Sequence, residues 1–361
     1  MTRIPSLDGW RAISIIIVML SHVEFATGFP THAFPWWGRV FQGDLGVRIF
    51  FVISGFLITY LLLAEGDRTG RPSLKQFYIR RVLRIFPVYY VFVAVLVALA
   101  AAGFYSDAWS TWIGTLTFTR NIIGRGDSAT VHFWSLAVEE QFYLVWPMTL
   151  VALALWRRTS LASAVLLVPV VLSPIFRTGI IQRHYGAGPV SRLLGGFSIA
   201  LYADSLAIGC LGAFIYRRHR ERLSVFASRE LLLAAVCGVV LAAVWQEWRI
   251  SAGMAAAEAG ALVPSVQAVL IMVAIWVTVE RRTGFAHRVL NATPVAWLGI
   301  LSYSLYIWQQ LFLGHFAGPR LSAFPLYDWR VWWIPALGAA VLSYYALERP
   351  IRRLRERFRA A

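Results

Sequence analysis

The sequence predicts an all-α polytopic membrane protein of about ten transmembrane helices with both termini cytoplasmic. Three observations predict it. Hydrophobic residues make up 58% of the 361 and charged residues only 14%, with a mean hydropathy of +0.62. Apolar windows about 20 residues long, the length that crosses a bilayer core as a helix, recur along the whole chain. The basic residues concentrate in alternate connections, as the positive-inside rule requires. The net charge of +16 could suggest nucleic acid, but these charges lie in clusters between apolar segments and act as topology signals, so nucleic-acid binding is excluded.

In order, the windows are 7–29, 46–64, 83–103, 133–155, 161–176, 199–216, 231–248, 262–279, 294–313 and 331–347. The stretch 109–123 is apolar but broken by threonines and Gly114, and is read as a surface or re-entrant segment. Residues 1–350 form one transmembrane domain. The tail 351–361 mixes arginines with Leu354 and Phe358 and is expected to anchor on an anionic leaflet. Hydrophilic connections are too short to hold a soluble core. The first window carries a charge inside it and no small-residue cleavage site after it, so a retained helix is expected rather than a signal peptide.

That first window opens Leu7-Asp8-Gly9-Trp10-Arg11 and reaches His22 through an almost wholly apolar run. An eleven-residue step on a helix returns to within about 20° of the same face, roughly 16 Å along the axis. Ionisable groups within a membrane mark either a functional pathway or an internal pair. With the amino terminus inside, Arg11 falls near the cytoplasmic face and His22 toward the outer one. The second window holds Ser54-Gly55, a signature of close helix packing, and begins beside Asp44 and Arg48, a candidate interfacial pair.

The third is entered through Arg80, Arg81 and Arg84, three guanidinium forks at i, i+1 and i+4 that can hold a phosphate bidentately. Ordinary positive-inside charge is the competing reading. The fourth opens His132-Phe133-Trp134-Ser135 and carries Glu139 and Glu140, with Ser135 as a candidate cap. Adjacent positions point about 100° apart, so one glutamate is expected to face the interior, where a carboxylate could orient the imidazole of His22. A lone intramembrane histidine is otherwise a packing residue. His184, His219, His287 and His315 show no ligand spacing, and no metal is expected. Cys210 and Cys237 fall in apolar segments and read as buried thiols, and the Asn291-Ala292-Thr293 sequon falls on the cytoplasmic side and is discounted.

Several stretches occur together in register: the Leu7 to Arg11 motif with His22; Phe50-Phe51-Val52-Ile53-Ser54-Gly55-Phe56-Leu57-Ile58; Arg80, Arg81 and Arg84; Trp134 through Tyr143; Ser302-Tyr303-Ser304-Leu305-Tyr306-Ile307-Trp308; and Glu348-Arg349-Pro350. The whole resembles the membrane-bound acyltransferase-3 family over essentially the full chain. The resemblance implies a bacterial inner-membrane O-acyltransferase without an appended extracytoplasmic hydrolase-like domain. It would move an acyl group, most often acetyl, from cytoplasmic acyl-CoA to a hydroxyl of a glycan, a lipid-linked sugar or a glycosylated small molecule. In that resemblance Arg11 and His22 match the family's functional pair, and Arg80, Arg81 and Arg84 the positions associated with the donor. The expected catalytic set is His22 with Glu139 and Glu140; the expected acyl-CoA-binding set is Arg11, Arg80, Arg81 and Arg84. Many members carry an acidic residue where Arg48 stands and histidine where Gln309 stands, so neither position is assigned a role. A carrier or flippase for a lipid-linked glycan would use the same intramembrane charges and is the rival reading.

Overall fold

The computed structural model describes residues 4, 6–124, 128–178, 199–252, 259–313 and 324–356. His184, His315 and residues 357–361 of the basic tail lie outside these residues. The described residues are helical, with no strand and a single isolated bridge between Thr27 and Asp328. The helices are α1 Leu7–His22, α2 Trp37–Val40, α3 Gly43–Thr69, α4 Leu74–Ala101, α5 Trp109–Leu116, α6 Phe133–Ala152 and α7 Thr159–Arg177. They continue as α8 Ile199–Phe226, α9 Arg229–Ser251, α10 Ala259–Glu280, α11 Phe285–Asn291, α12 Thr293–Trp308, α13 Trp333–Ser343 and α14 Arg349–Glu356.

Among the described residues, six stretches are long and apolar enough to cross a membrane: Trp37–Thr69, Leu74–Ala101, Thr159–Arg177, Ile199–Phe226, Arg229–Arg249 and Gly260–Glu280. The other four expected spans also form helices, but α1 and α12 have 16 residues each and α13 only 11. Their apolar windows run on in tighter or wider turns: 3₁₀ at Val23–Phe25 and Gln309–Phe312, and a π turn at Tyr344–Glu348. The stretch at 109–123 forms only the eight-residue α5, too short to span.

Local chemistry fixes several ends. Ser73 caps α4, its hydroxyl accepting from the Gln76 N–H at 3.4 Å. Gly70, at φ +81°, supplies the left-handed turn that stops α3. Ser135 does not cap α6. The helix already begins at Phe133, and the Ser135 hydroxyl bonds the His132 carbonyl at 3.1 Å and the Tyr306 hydroxyl instead.

The chain divides into two compact units, with α1, α6 and α12 contributing to both. The first comprises Met1–Ser14, Asp44–Pro72 and Val138–Gly299. Within it α7, α8, α9 and α10 pack on one another. α3 meets α8 backbone to backbone: a Cβ on Gly55 would stand 2.0 Å from the Leu206 carbonyl oxygen, and one on Gly209 would stand 2.3 Å from that of Val52. Only glycines permit that approach. The expected packing role of Ser54-Gly55 is thereby met. The amino-terminal end is tied down by the Trp10 indole, which donates to Thr278 Oγ1 at 2.8 Å, and by Asn291, whose amide holds Ser6. Cys210 is buried, but Cys237 is exposed, because α9 leaves Leu233, Val240, Leu241 and Val244 on an outward apolar face. The expectation of two buried thiols holds for Cys210 alone.

The second unit comprises Ile15–Gly43, Ser73–Ala137 and Ile300–Ala361. Phe29 packs edge-on against Trp37 and Trp329, over a core of Val23, Ala26, Leu313, Trp332 and Ala336. Tyr89 is fully buried, stacks on Phe118 and donates to the Thr115 carbonyl at 2.6 Å. α14 packs on α4, and Ser304 of α12 donates to the Glu348 carboxylate in the π turn.

Candidate active site

His22 ends α1 in the second unit, and its partner there is Gln309, the first residue of the 3₁₀ turn that follows α12. Nδ1 of His22 lies 3.3 Å from Oε1 of Gln309. An amide oxygen only accepts, so Nδ1 carries the hydrogen and Nε2 keeps its lone pair. Gln309 is wholly buried, and its Nε2 meets no acceptor among the described residues. Next to it Gln310, 1% exposed, leaves Oε1 without a donor.

The same unit brings a second imidazole into this region. His132, 3% exposed, is boxed by the rings of Phe92, Phe133 and Tyr306, and neither of its nitrogens has a hydrogen-bond partner among the described residues. Its backbone carbonyl is held by the hydroxyls of Tyr306, at 2.9 Å, and Ser135. A charge on His22 is felt at His132. Buried polar atoms are ordinarily paired, so this concentration of unpaired ones marks a place prepared for polar groups the described residues do not supply.

In the first unit, Glu139 Oε1 accepts from Ser54 of α3 and from Tyr143 one turn along α6, and the Tyr143 hydroxyl also lies 3.1 Å from Ser54 Oγ. Its neighbour Glu140 is partly buried. Arg11, also in this unit, pairs with Asp8 at 3.2 Å on the same helix. Arg48 is 6% exposed, and its Nε and Nη1 meet no acceptor, so the expected pairing with Asp44 is an electrostatic influence shared with Asp204, without a direct bond. Asp204 is taken by Arg177 at 2.6 Å and by Ser265 at 2.5 Å.

The arginine cluster lies on the first turns of α4, in the second unit, with Arg80, Arg81 and Arg84 partly buried. Arg81 sits over the Phe77 ring at 5.6 Å. α14, which begins at Arg349, packs on the same helix. An arginine-bearing helix therefore packs on the helix that carries the cluster.

Sequence reading singled out His22 and the arginines as candidates. It gave no role to His132, Gln309 or Gln310. The available signal was their chemistry: two adjacent glutamines closing an apolar segment and a histidine opening one are polar groups that need partners.

A helical membrane bundle with a histidine-centred polar site and a separate cluster of cations defines the class of protein. Comparison with known proteins supplies the family. The chain belongs to the acyltransferase-3 family, a family of acyltransferase enzymes, whose model, described as an acyltransferase domain, matches residues 4–349. Among similar proteins is "Peptidoglycan O-acetyltransferase OatA" of Listeria monocytogenes serovar 1/2a (strain ATCC BAA-679 / EGD-e). It is 28% identical over 378 residues, covering 97% of this chain and 56% of the relative. "O-acetyltransferase OatA" of Staphylococcus aureus (strain NCTC 8325 / PS 47) is 27% identical over 382 residues, covering 97% of this chain and 57% of the relative. The chain thus spans about half the length of the curated relatives it matches. No solved structure gives a significant match.

Proposed function

We propose that this chain is a membrane O-acyltransferase that takes an acyl group, acetyl in the first place, from cytoplasmic acyl-CoA and delivers it to a glycan hydroxyl. The observation that carries the reading is the His22–Gln309 pair: an imidazole on a membrane helix whose tautomer is set by a buried amide, leaving Nε2 as nucleophile or base. The names of the relatives support O-acetylation and a peptidoglycan-like acceptor. In this reading the chain crosses the bacterial inner membrane about ten times with both termini cytoplasmic. The phosphates of the donor are held by Arg80, Arg81 and Arg84 and steered by Arg11. The pantetheine arm follows the face of α1 toward His22, and Glu139 and Glu140 are the carboxylates of the proposed catalytic set.

The donor, the histidine and the arginines are tested together by reconstituting the chain in vesicles with labelled acetyl-CoA and measuring free thiol and labelled glycan. His22→Ala is expected to abolish transfer, and an unchanged rate would remove the histidine from the chemistry. Arg80→Ala with Arg84→Ala is expected to weaken donor affinity. If affinity is unchanged, the cluster is a topology signal only. A carrier would move glycan without releasing thiol.

A further inference from the structure

The second unit holds an imidazole that the reaction as described leaves without a task. His132 stands at the head of α6, enclosed by aromatic rings, and both of its ring nitrogens are unpaired. A buried histidine serving only to fill space would be out of place here, since an apolar ring would fill the same box with no unpaired polar atom. The backbone carbonyls of Tyr306 and Ile307, in the last turn of α12, lie by the ring without reaching hydrogen-bond geometry. Carbonyls at the end of a helix favour a positive charge on a nearby imidazole. They also favour an N–H on the nitrogen that faces them, which leaves the other nitrogen with a free lone pair. Against this, burial opposes a charge on His132 most strongly, and a charge on His22 or on Arg120 opposes it further, so the resting ring is neutral and can only accept a proton transiently.

Gln309 fits this arrangement. Its Oε1 accepts from Nδ1 of His22 while that nitrogen carries hydrogen, and its unpaired Nε2 is available to donate to the same nitrogen once the hydrogen has left. A carboxylate could serve only the first state.

We propose that His132 is the base for the acceptor hydroxyl, working with His22 as the transient acyl carrier. The proposal rests on the acyl-CoA reading above. In the first half-reaction Nε2 of His22 attacks the thioester carbon, the C–S bond breaks, and the departing thiolate ends as free thiol with the proton lost from Nδ1. Acyl-imidazole remains, with Gln309 now donating to Nδ1. In the second half-reaction the acceptor oxygen attacks the acyl carbon while its proton passes to the free nitrogen of His132. The N–C bond to His22 breaks, the ester leaves, and the proton held on His132 returns to His22. No proton is gained or lost over the cycle. "Base" is meant literally: His132 touches the acceptor hydroxyl.

The test separates the two half-reactions in the full-length chain reconstituted in vesicles. The probes are labelled acetyl-CoA, the N-acetylglucosamine–N-acetylmuramic acid disaccharide, water as acceptor when the sugar is omitted, and hydroxylamine, a nucleophile that needs no base. His132→Phe keeps the aromatic box filled, and His132→Gln keeps polarity without a usable base. Thermal unfolding identifies whichever variant is folded, and that variant carries the result. The expectation is first-turnover thiol release close to wild type, discharge of the label by hydroxylamine, and a fall in transfer to sugar or water of about 10²- to 10⁴-fold, the usual contribution of a positioned base. Transfer at the wild-type rate in a folded variant would overturn the proposal. So would loss of thiol release in a folded variant, because it would move His132 to the donor step. A wild-type chain that releases no thiol from acetyl-CoA defeats the underlying donor reading first and is thereby distinguished.

Discussion

Replacing Gln309 by alanine tests the site at its narrowest point. In the native chain the Gln309 amide is wholly buried, and its Oε1 is the acceptor, at 3.3 Å, for Nδ1 of His22. Alanine leaves that N–H without a partner, and an unsatisfied buried donor costs about 1–3 kcal/mol. The contact is longer than the usual 2.9–3.0 Å, and the space vacated by the amide can admit a water, so the lower half of that range is expected. Because the bond fixes the tautomer and ring orientation that present Nε2, the loss falls on the transition state. It converts to a fall in kcat of roughly 5- to 150-fold, with values near tenfold favoured. Donor KM should stay within about a factor of two, since Gln309 is remote in sequence and element from the arginines of α4. Gln309→Glu keeps an acceptor opposite Nδ1 and should retain the first half-reaction better than alanine does. The assay is the initial rate of thiol release from labelled acetyl-CoA across a range of donor concentrations. A Gln309→Ala variant that is folded and has unchanged kcat, or that loses only donor affinity, would refute the assignment of Gln309 as the group that orients His22.

Three further outcomes follow from the packing. Gly55→Leu should remove at least 1–3 kcal/mol of stability, because its Cβ would begin 2.0 Å from the Leu206 carbonyl; a wild-type melting temperature would show that α3 and α8 can separate freely. Glu139→Ala leaves the Ser54 and Tyr143 hydroxyls without their shared acceptor, and about 1–3 kcal/mol should be lost in thermal unfolding. Glu139→Gln, which keeps an oxygen there, should lose less, and equal losses would count against the acceptor argument. In the connection before α13, Arg330 and its backbone N–H hold the Asp328 carboxyl down at about 2 from its ordinary 3.8. A carboxylate held below its unfolded value contributes fully above that value and loses its contribution as pH falls toward 2. Carboxyl NMR of the labelled chain should therefore find Asp328 titrating near 2, moving up toward the ordinary carboxylate range in Arg330→Ala. No movement would exclude Arg330 as the cause.

How much was legible in the sequence differs from residue to residue. Helix class was written in composition and apolar length, which depend on solvent alone. The small-residue signature at Ser54-Gly55 also read correctly, because a missing side chain means close approach wherever the partner lies. The short helices show the limit of window reading: α1, α12 and α13 stop before their apolar windows do, since hydropathy records what a segment can be buried in and not the turn its backbone adopts. Ser135 is a similar case, its hydroxyl taken by Tyr306 rather than used as a cap.

At the site, the sequence by itself determined which residues were costly to place in a membrane: Arg11, His22, Glu139 and the arginines of α4. A charge in an apolar run is conspicuous without any knowledge of the fold. Only the tertiary structure decided their company. His22 meets Gln309, 287 residues further along the chain, and Glu139 meets Ser54, 85 residues before it. Hydrogen bonds are satisfied within about 3 Å in space, and separations of that kind along the chain carry no periodicity from which they could be read. A neutral glutamine or a histidine at a segment end looks ordinary until its neighbours are known. Folding makes Gln309 and His132 conspicuous by burying their polar atoms and leaving some of them unpaired.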